Sequence, residues 1–183
     1  MGVRNYLIEG VSGAGKTSVA DELQRRGYHV VHGDRELAYC GDPETGKPLD
    51  GFSRESVDNI TWGYERWIWN VDKVRSVIAD QNHPQSFFCG GSRNSHHFID
   101  LFDGVFVLEV DLDTLKQRVS ARADDEFGGK PEQWALIARV HATKVGLPKE
   151  AVPIDGTKPV ARVVDDILSR CTEAGEDATK GAG

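Results

Sequence analysis

The sequence predicts an α/β fold in which a five-stranded parallel sheet is flanked by helices in a three-layer sandwich. Three observations predict it: short apolar runs recur along the chain, the first leads directly into a glycine-rich turn, and the stretches between runs can hold crossover helices. The runs are Asn5–Ile8, Tyr28–Val31, Phe87–Cys89, Val105–Val110 and Val152–Ile154. We expect each of them to form one strand.

Two segments carry the helical spacing that this scheme requires. Lys16–Arg26 places Val19, Ala20 and Leu23 on one face and is followed by Gly27, a common helix stop. The last helix is predicted to start near Pro159, with one apolar face formed by Val160, Val163, Val164, Ile167 and Leu168. The Gly- and Ala-rich, charged residues 174–183 are expected to form a disordered tail.

A longer helix is predicted over Val57–Ile78, where the apolar residues fall on one stripe. The opposite stripe carries Trp62, Arg66, Trp69 and Lys73. Two tryptophans on an exposed face need a partner. A small-molecule pocket, the contact of a homodimer and packing under a flanking loop all remain open.

Composition limits the possible functions. The 183 residues are enough for one domain, and 39% of them are apolar, as in ordinary globular chains. No apolar run approaches the roughly 20 residues of a membrane helix. Three cysteines without CxxC spacing favour reduced thiols, and a net charge of -7 argues against a nucleic-acid surface. We therefore expect a cytoplasmic protein that binds neither membranes nor nucleic acids.

A complete phosphate-binding motif, GxxxxGKT, occupies Gly10–Thr17 between the first predicted strand and the first predicted helix. The motif acts in this setting because its glycines let backbone amides turn toward phosphates and the helix N-terminus adds its dipole. Lys16 is expected to reach the terminal phosphates, and Thr17 to coordinate Mg²⁺. The motif predicts a nucleotide site formed by Gly10, Ser12, Gly13, Ala14, Gly15, Lys16, Thr17 and Ser18.

On these residues the chain resembles the P-loop family of nucleoside monophosphate kinases and small-metabolite kinases, which includes adenylate, shikimate and gluconate kinases. The resemblance spans roughly Tyr6 to Leu168. It implies a single kinase domain over residues 1–173, with a helical acceptor-binding insertion at about 35–85 and a short lid at about 118–145. It also implies ATP and Mg²⁺ as cofactors and a small-molecule acceptor.

Two short motifs extend the resemblance. Gly33-Asp34 is similar to the family's GD motif, which implies that Asp34 helps to hold the metal ion and lies near the acceptor. A turn or helix-cap role for Asp34 is the alternative. Gly91-Ser92-Arg93 is similar to the family's acceptor motif, which implies that Arg93 binds an acceptor anion, unless it is a plain surface arginine.

The segment Val105–Arg122 resembles the family's run into the lid. Arg118 and Arg122 share one helix face, where two like charges repel unless an anion lies between them. Pairing with the acidic patch 124–126 is the alternative. Arg139 is a further candidate lid arginine. Ile154–Pro159 looks like the loop that packs on the adenine base, which adds Gly156 and Lys158 to the nucleotide site.

The identity of the acceptor remains open. Gly46–Asp50 with Arg54 resembles a segment of gluconate kinases, although the histidine that those enzymes place after the GD motif is missing. Cys89 and Leu37 stand where an adenylate kinase would have an acidic residue and an arginine. The predicted acceptor contacts are Asp34, Arg54, Arg66 and Arg93. His96 and His97 are expected at the surface or as capping residues and not in catalysis.

Three functions are compatible with the sequence: a kinase acting on a hydroxyl of a metabolite, a nucleoside monophosphate kinase, and a nucleotide-binding NTPase or switch. The lid arginines favour either kinase, since a switch does not need a cationic lid. The catalytic residues are predicted to be Lys16, Asp34, Arg118 and Arg122, with Thr17 and Asp34 as metal ligands. If the acceptor is a hydroxyl, Asp34 accepts its proton.

Overall fold

The computed structural model describes residues 3–49, 60–122 and 126–180, with side chains described as far as Thr172. In chain order the elements are β1 (Arg4–Glu9), α1 (Lys16–Arg25), β2 (His29–His32), α2 (Gly33–Glu36), β3 (Ala38–Cys40), α3 (Ile60–Glu65), β4 (Trp67–Trp69), α4 (Val71–Ala79), β5 (Gln85–Cys89), β6 (Gly104–Glu109), α5 (Leu112–Ser120), α6 (Pro131–Thr143), β7 (Val152–Asp155) and α7 (Val160–Lys180). Two short 3-10 turns, Ser95–His97 and Ile99–Leu101, lie between β5 and β6.

The main sheet has five parallel strands in the order β2-β5-β1-β6-β7, which confirms the predicted fold class. Strand β1 lies at the centre and pairs with both β5 and β6. The chain winds toward opposite edges from this point, so loops at the carboxyl ends of the central strands border a crevice. The glycine-rich motif follows β1 directly and therefore lies at that crevice.

Both faces of the sheet are buried, because successive side chains of each strand point to opposite faces. Tyr6 and Ile8 of β1 belong to a core that also contains residues of α1 and α7, such as Leu23 and Ile167. Leu7, between them, belongs to a second core on the opposite face. Burial on both faces explains why the strands appear as continuous apolar runs.

The predicted long helix over Val57–Ile78 is wrong for the described residues from Ile60 onward. Helix α3 ends at Glu65, β4 pairs antiparallel with β3, and α4 starts after Asn70, whose side chain accepts a hydrogen bond from the backbone N–H of Lys73. The aromatic and β-branched residues of β4 favour a strand over a helix. The stripe of Trp62, Arg66, Trp69 and Lys73 is therefore not one helix face.

Trp69 is fully buried and does not lie at a pocket or a dimer contact. Its ring stacks on Phe98 with 5.7 Å between ring centroids, and both rings belong to the second core. The backbone of Trp69 is held by the buried Asn94, which accepts from its N–H and donates to its carbonyl, each at 3.0 Å. These bonds fix β4 beside the loop that follows β5.

The last helix continues to Lys180, so residues 174–180 are helical where a disordered tail was predicted. Ala, Glu and Lys in this segment are good helix formers and outweigh its single glycine. None of the helices that the structure describes has both the length and the apolar character needed to cross a membrane.

Replacing Asn94 with alanine should destabilise the protein by about 1–3 kcal/mol, because the buried carbonyl of Trp69 loses a donor while its N–H keeps the Ser92 hydroxyl as acceptor. Urea denaturation of the purified variant measures this change. Asn82→Ala is the matched control, since the Asn82 residue is exposed, and should change the free energy of unfolding by less than about 0.5 kcal/mol. Equal stability of both variants would show that Asn94 does not anchor β4.

Candidate active site

The phosphate loop, defined as Gly10–Thr17, connects β1 to the first turn of α1. Gly13 and Gly15 have φ angles of 93° and 107°, in the left-handed region that favours glycine. A Cβ at Gly13 would lie 2.8 Å from Cδ1 of Leu115, so the loop also packs closely against α5. The loop therefore has the tight backbone path that turns amides toward a bound anion.

Lys16 lies half-buried at the start of α1 and extends over this loop. Its ammonium group donates to the carbonyl oxygens of Gly10 at 2.5 Å and of Val11 at 3.1 Å. Burial lowers the pKa of Lys16, while the nearby carboxyl groups of Asp34 and Glu9 raise it. The cation is thus held among groups of the phosphate loop and two acids.

The two predicted lid arginines both contact the phosphate loop or the loop after β7. Arg118 donates to the carbonyl oxygens of Ala14 at 3.0 Å and of Gly156 at 2.7 Å. Arg122 donates to Ser12 Oγ at 3.1 Å and to the carbonyl of Phe127 at 2.6 Å. Both guanidinium groups therefore lie at the phosphate loop. The predicted shared helix face is wrong, because α5 ends at Ser120 and Arg122 lies in the segment after it.

The alternative for these arginines was pairing with the acidic patch. Arg122 lies 3.7 Å from a carboxylate oxygen of Glu126, and this neighbour raises its pKa while burial lowers it. Residues 124 and 125 lie outside the described residues. Contact with the phosphate loop and pairing with Glu126 thus occur together in Arg122.

A cavity of about 790 Å³, here called the nucleotide cavity, lies along the phosphate loop. Its cationic lining residues are Lys16, Arg35, Arg118, Arg122 and Lys158. The predicted nucleotide-site residues that line it are Ser12, Gly13, Ala14, Gly15, Lys16, Thr17, Ser18, Gly156 and Lys158, whereas Gly10 lines a second cavity. This concentration of positive charge at a helix N-terminus suits a polyphosphate.

The second cavity, here called the acceptor cavity, has a volume of about 220 Å³. It shares Ser12, Lys16 and Asp34 with the nucleotide cavity, so the two spaces meet at the phosphate loop. Away from that junction its walls are mainly apolar and aromatic: Ile60, Tyr64, Trp67, Phe127, Leu136, Ile137 and Val140. A molecule in one cavity would thus lie next to the phosphate end of a molecule in the other.

Asp34 lies at this junction, in the short helix α2 that follows β2. Its Oδ1 accepts hydrogen bonds from the backbone N–H of Gly91 and from Trp67 Nε1, both at 3.3 Å. These donors orient the carboxylate between the two cavities. Thr17 also lines the nucleotide cavity, and carboxylate and hydroxyl oxygens are the ligands that Mg²⁺ prefers, so these two residues fit a magnesium site.

Arg93 lines the acceptor cavity and forms an ion pair that the sequence did not predict. Its Nη2 lies 2.8 Å from Oε1 of Glu9, and its Nη1 donates to the hydroxyl of Tyr64. The guanidinium group also lies over the Tyr64 ring, 4.5 Å from the centroid. Gly146 packs against it from outside, since a Cβ there would overlap Arg93 Nη1. Arg93 is therefore fixed in place and is not a plain surface arginine.

Glu9, which the sequence did not indicate as a site residue, lines neither cavity but pairs with Arg93 of the acceptor cavity. It is 1% exposed at the carboxyl end of β1, and its Oε2 has no hydrogen-bond partner among the described residues. Burial raises the pKa of Glu9 to about 7, although Arg93 and Lys16 lower it. The available signal was an acidic residue that ends an otherwise apolar strand directly before Gly10.

Several predicted site residues do not join this arrangement. Arg66 stacks on Trp62, 4.2 Å from the ring centroid, and lines neither cavity, while Arg54 lies outside the described residues. Arg139 is exposed on α6 and lines neither cavity. His96 and His97 lie in a 3-10 turn outside both cavities.

The raised pKa of Glu9 predicts a pH-dependent stability. The folded state keeps the proton of the Glu9 carboxyl up to about pH 7, whereas an unfolded chain releases it near pH 4.5. The contribution of Glu9 to the free energy of unfolding therefore falls as pH rises between those values. Glu9→Gln removes that loss. The free energy of unfolding of Glu9→Gln, relative to that of the unmodified protein, should therefore rise by on the order of 2 kcal/mol between pH 5 and pH 8. Urea denaturation at each pH measures it.

Glu22→Gln provides the control for this measurement. Hydrogen bonds from Arg25 and Arg26 lower the pKa of Glu22 to about 2, so its charge does not change between pH 5 and pH 8. Its stability difference from the unmodified protein should stay constant over that range. The same constancy in Glu9→Gln would contradict a raised pKa for Glu9.

Comparison with known proteins places this geometry in a family. A family model described as "AAA domain" matches residues 7–133. A search of curated proteins found no match. Among solved structures, a gluconokinase from Sinorhizobium meliloti 1021 is 18% identical, with a TM-score of 0.57 and coverage of 98% of each chain.

Two further solved structures share the fold at low identity. A shikimate kinase from Acinetobacter baumannii, in complex with shikimate, has 17% identity and a TM-score of 0.62, over 93% of this chain and 94% of its own. A deoxyadenosine kinase from M. mycoides with bound dATP has 13% identity and a TM-score of 0.54, over 91% of this chain and 98% of its own. The chain thus belongs to the AAA domain family of P-loop proteins and has the fold of the P-loop small-molecule kinases.

Proposed function

We propose that the protein is an ATP- and Mg²⁺-dependent kinase that transfers the γ-phosphoryl group of ATP to a hydroxyl group of a small metabolite. The observation that carries this proposal is the junction of two cavities at Ser12, Lys16 and Asp34. A phosphoryl donor in the nucleotide cavity would present its terminal phosphate to an acceptor in the neighbouring cavity. An NTPase or a switch protein needs no second cavity at this position.

The nucleotide side of the reaction is assigned to the phosphate loop and the lid arginines. Lys16 and the loop amides bind the β- and γ-phosphates, and Arg118 and Arg122 neutralise charge on the transferring group. Thr17 and Asp34 would hold Mg²⁺, which neutralises phosphate oxygens when bound. These roles are supported by the position of all five side chains on the nucleotide cavity.

The acceptor side is assigned to Asp34. The acceptor oxygen forms a bond to the γ-phosphorus while the bond between that phosphorus and the bridging oxygen of ADP breaks. The hydroxyl proton passes to the Asp34 carboxylate, which Trp67 and Gly91 orient toward the junction. Holding both reactants in line contributes much of the rate in this type of chemistry.

The direct experiment is a screen of ATP consumption with Mg²⁺ against nucleosides, neutral alcohols, sugar acids and nucleoside monophosphates. The proposal expects ADP formation that depends on one class of acceptor and a phosphorylated product detectable by mass spectrometry. ATP hydrolysis that no acceptor accelerates would favour an NTPase instead.

Lys16→Ala should abolish nearly all turnover and leave the fold intact, because Lys16 contacts loop carbonyls and phosphates and is not part of either core. Steady-state kinetics measures the loss, and thermal unfolding checks the fold. Activity close to that of the unmodified protein would refute the role of Lys16.

Arg118→Ala and Arg122→Ala should each lower kcat by about 10²-fold or more, with a smaller change in nucleotide affinity, because they act on charge that develops during transfer. Lys116→Ala, on the helix that carries Arg118, is the control, since Lys116 is exposed and lines neither cavity. It should keep full activity. Parallel losses of ATP affinity and kcat in the arginine variants would assign them to ground-state binding.

A further inference from the structure

The acceptor cavity is lined by fewer charged side chains than the nucleotide cavity. In the part of the chain that the structure describes, the nucleotide cavity is lined by five cations and two acids: Lys16, Arg35, Arg118, Arg122, Lys158, Asp34 and Glu126. Among the described residues, the acceptor cavity is lined by only two cations, Lys16 and Arg93, together with the acid Asp34. Its remaining lining is dominated by apolar and aromatic side chains.

Both of these cations are already bound by groups of the protein. Lys16 is held by the phosphate loop and also lines the nucleotide cavity. Arg93 is paired with the carboxylate of Glu9 at 2.8 Å, and only 10% of its side chain is exposed. Within the described residues, an anionic acceptor in this cavity would face Asp34 and the Glu9-paired Arg93 without a free counter-ion. Burying an unpaired charge is costly.

The size and lining of the cavity suit a ring. An apolar cavity of about 150 Å³ is large enough to hold benzene. The acceptor cavity, at about 220 Å³, has room for a ring and a hydroxyl-bearing substituent. Ile60 of α3 and Leu136, Ile137 and Val140 of α6 supply apolar walls, and Tyr64 and Trp67 supply aromatic ones. Such walls give a polyhydroxylated acid few hydrogen-bond partners.

We infer that the acceptor is an uncharged alcohol with a ring as its body, whose hydroxyl lies at Asp34 while the ring lies against the walls from α3 and α6. This inference rests on the proposed function and narrows it, since it excludes both a sugar acid and a nucleoside monophosphate as the preferred acceptor. The segment Gly46–Asp50 with Arg54, which resembles gluconate kinases, does not fix the acceptor class, because the resemblance rests on turn-forming residues. The Glu9–Arg93 pair acts as the selectivity device above pH 7, where Glu9 is ionised and the neutral pair disfavours anions.

The test measures dissociation constants by calorimetry with Mg²⁺ and a non-hydrolysable ATP analogue present. The probes are two matched pairs that differ by one charged group: thymidine with thymidine 5′-monophosphate, and 3-phenylpropanol with 3-phenylpropanoate. In each pair that binds at all, the neutral probe should bind at least about tenfold more tightly than its charged partner. Equal or tighter binding of the charged member, or failure of both neutral probes to bind, overturns the inference.

Glu9→Gln tests the selectivity device itself. With Glu9 uncharged, the positive charge of Arg93 is no longer balanced, so affinity for 3-phenylpropanoate should rise and the preference for the neutral member should shrink. Glu22→Gln, which alters an acid on α1 that lines neither cavity, should keep the preference. An unchanged preference in Glu9→Gln contradicts the assigned role of the pair.

A pH series on the unmodified protein gives the same test without substitution. The pKa of Glu9, raised to about 7 by burial, means that this acid gains its proton between pH 8 and pH 6. A carboxylate probe stays ionised throughout that range. Affinity for 3-phenylpropanoate should therefore increase as pH falls from 8 to 6, and a constant affinity counts against the inference.

Phosphoryl transfer is measured separately, so failure of the inference can be distinguished from failure of the proposed function. Selective binding of neutral probes without any phosphorylated product would leave the cavity assignment intact and refute the kinase. Transfer that occurs only to charged acceptors would support the kinase and refute the neutral acceptor.

Discussion

The organisation of the molecule depends on the central position of β1, which is buried on both faces and paired on both edges. A strand held in this way has one defined carboxyl end, and the chain places Glu9 and the phosphate loop there. The left-handed glycines then turn the backbone into α1 within a few residues. The proposed site follows from this position. Helix α2 and the loop after β5 bring Asp34 and Arg93 to one side of the phosphate loop, and α5 with the segment after it brings Arg118 and Arg122 to the other.

The site also shows how charge is divided between two neighbouring spaces. Arg118 reaches the phosphate loop from α5 and Arg122 from the segment after it, and both line the nucleotide cavity with other cations. Arg93 lies on the opposite side, and its charge is balanced by the buried Glu9. The sequence alone cannot distinguish these arginines, because they differ in the group that each guanidinium contacts in the folded chain. In this account, charge attracts the donor and neutrality selects the acceptor.

Much of the fold could be predicted from sequence because its signals are local and repeated. Apolar runs such as Tyr6–Ile8 mark strands buried on both faces, and Gly10–Thr17 fixes the order of strand, loop and helix. The segment around Trp67–Trp69 could not be predicted in this way, since its apolar spacing also fits a helix. Pairing with β3 and the buried bonds from Asn94 decide the outcome, and both partners are distant in sequence. The same limit applies to Glu9, whose role depends on Arg93, a residue far along the chain.

The proposed reaction requires the two cavities to meet where the γ-phosphate lies. A crystal structure with Mg²⁺ and a non-hydrolysable ATP analogue tests this most directly. We expect the β- and γ-phosphates to lie within hydrogen-bond distance of Lys16 and the phosphate loop amides. We also expect Arg118 and Arg122 to turn toward the γ-phosphate, and that phosphate to face the acceptor cavity beside Asp34. A γ-phosphate directed away from Asp34, or separated by protein from the acceptor cavity, would contradict it.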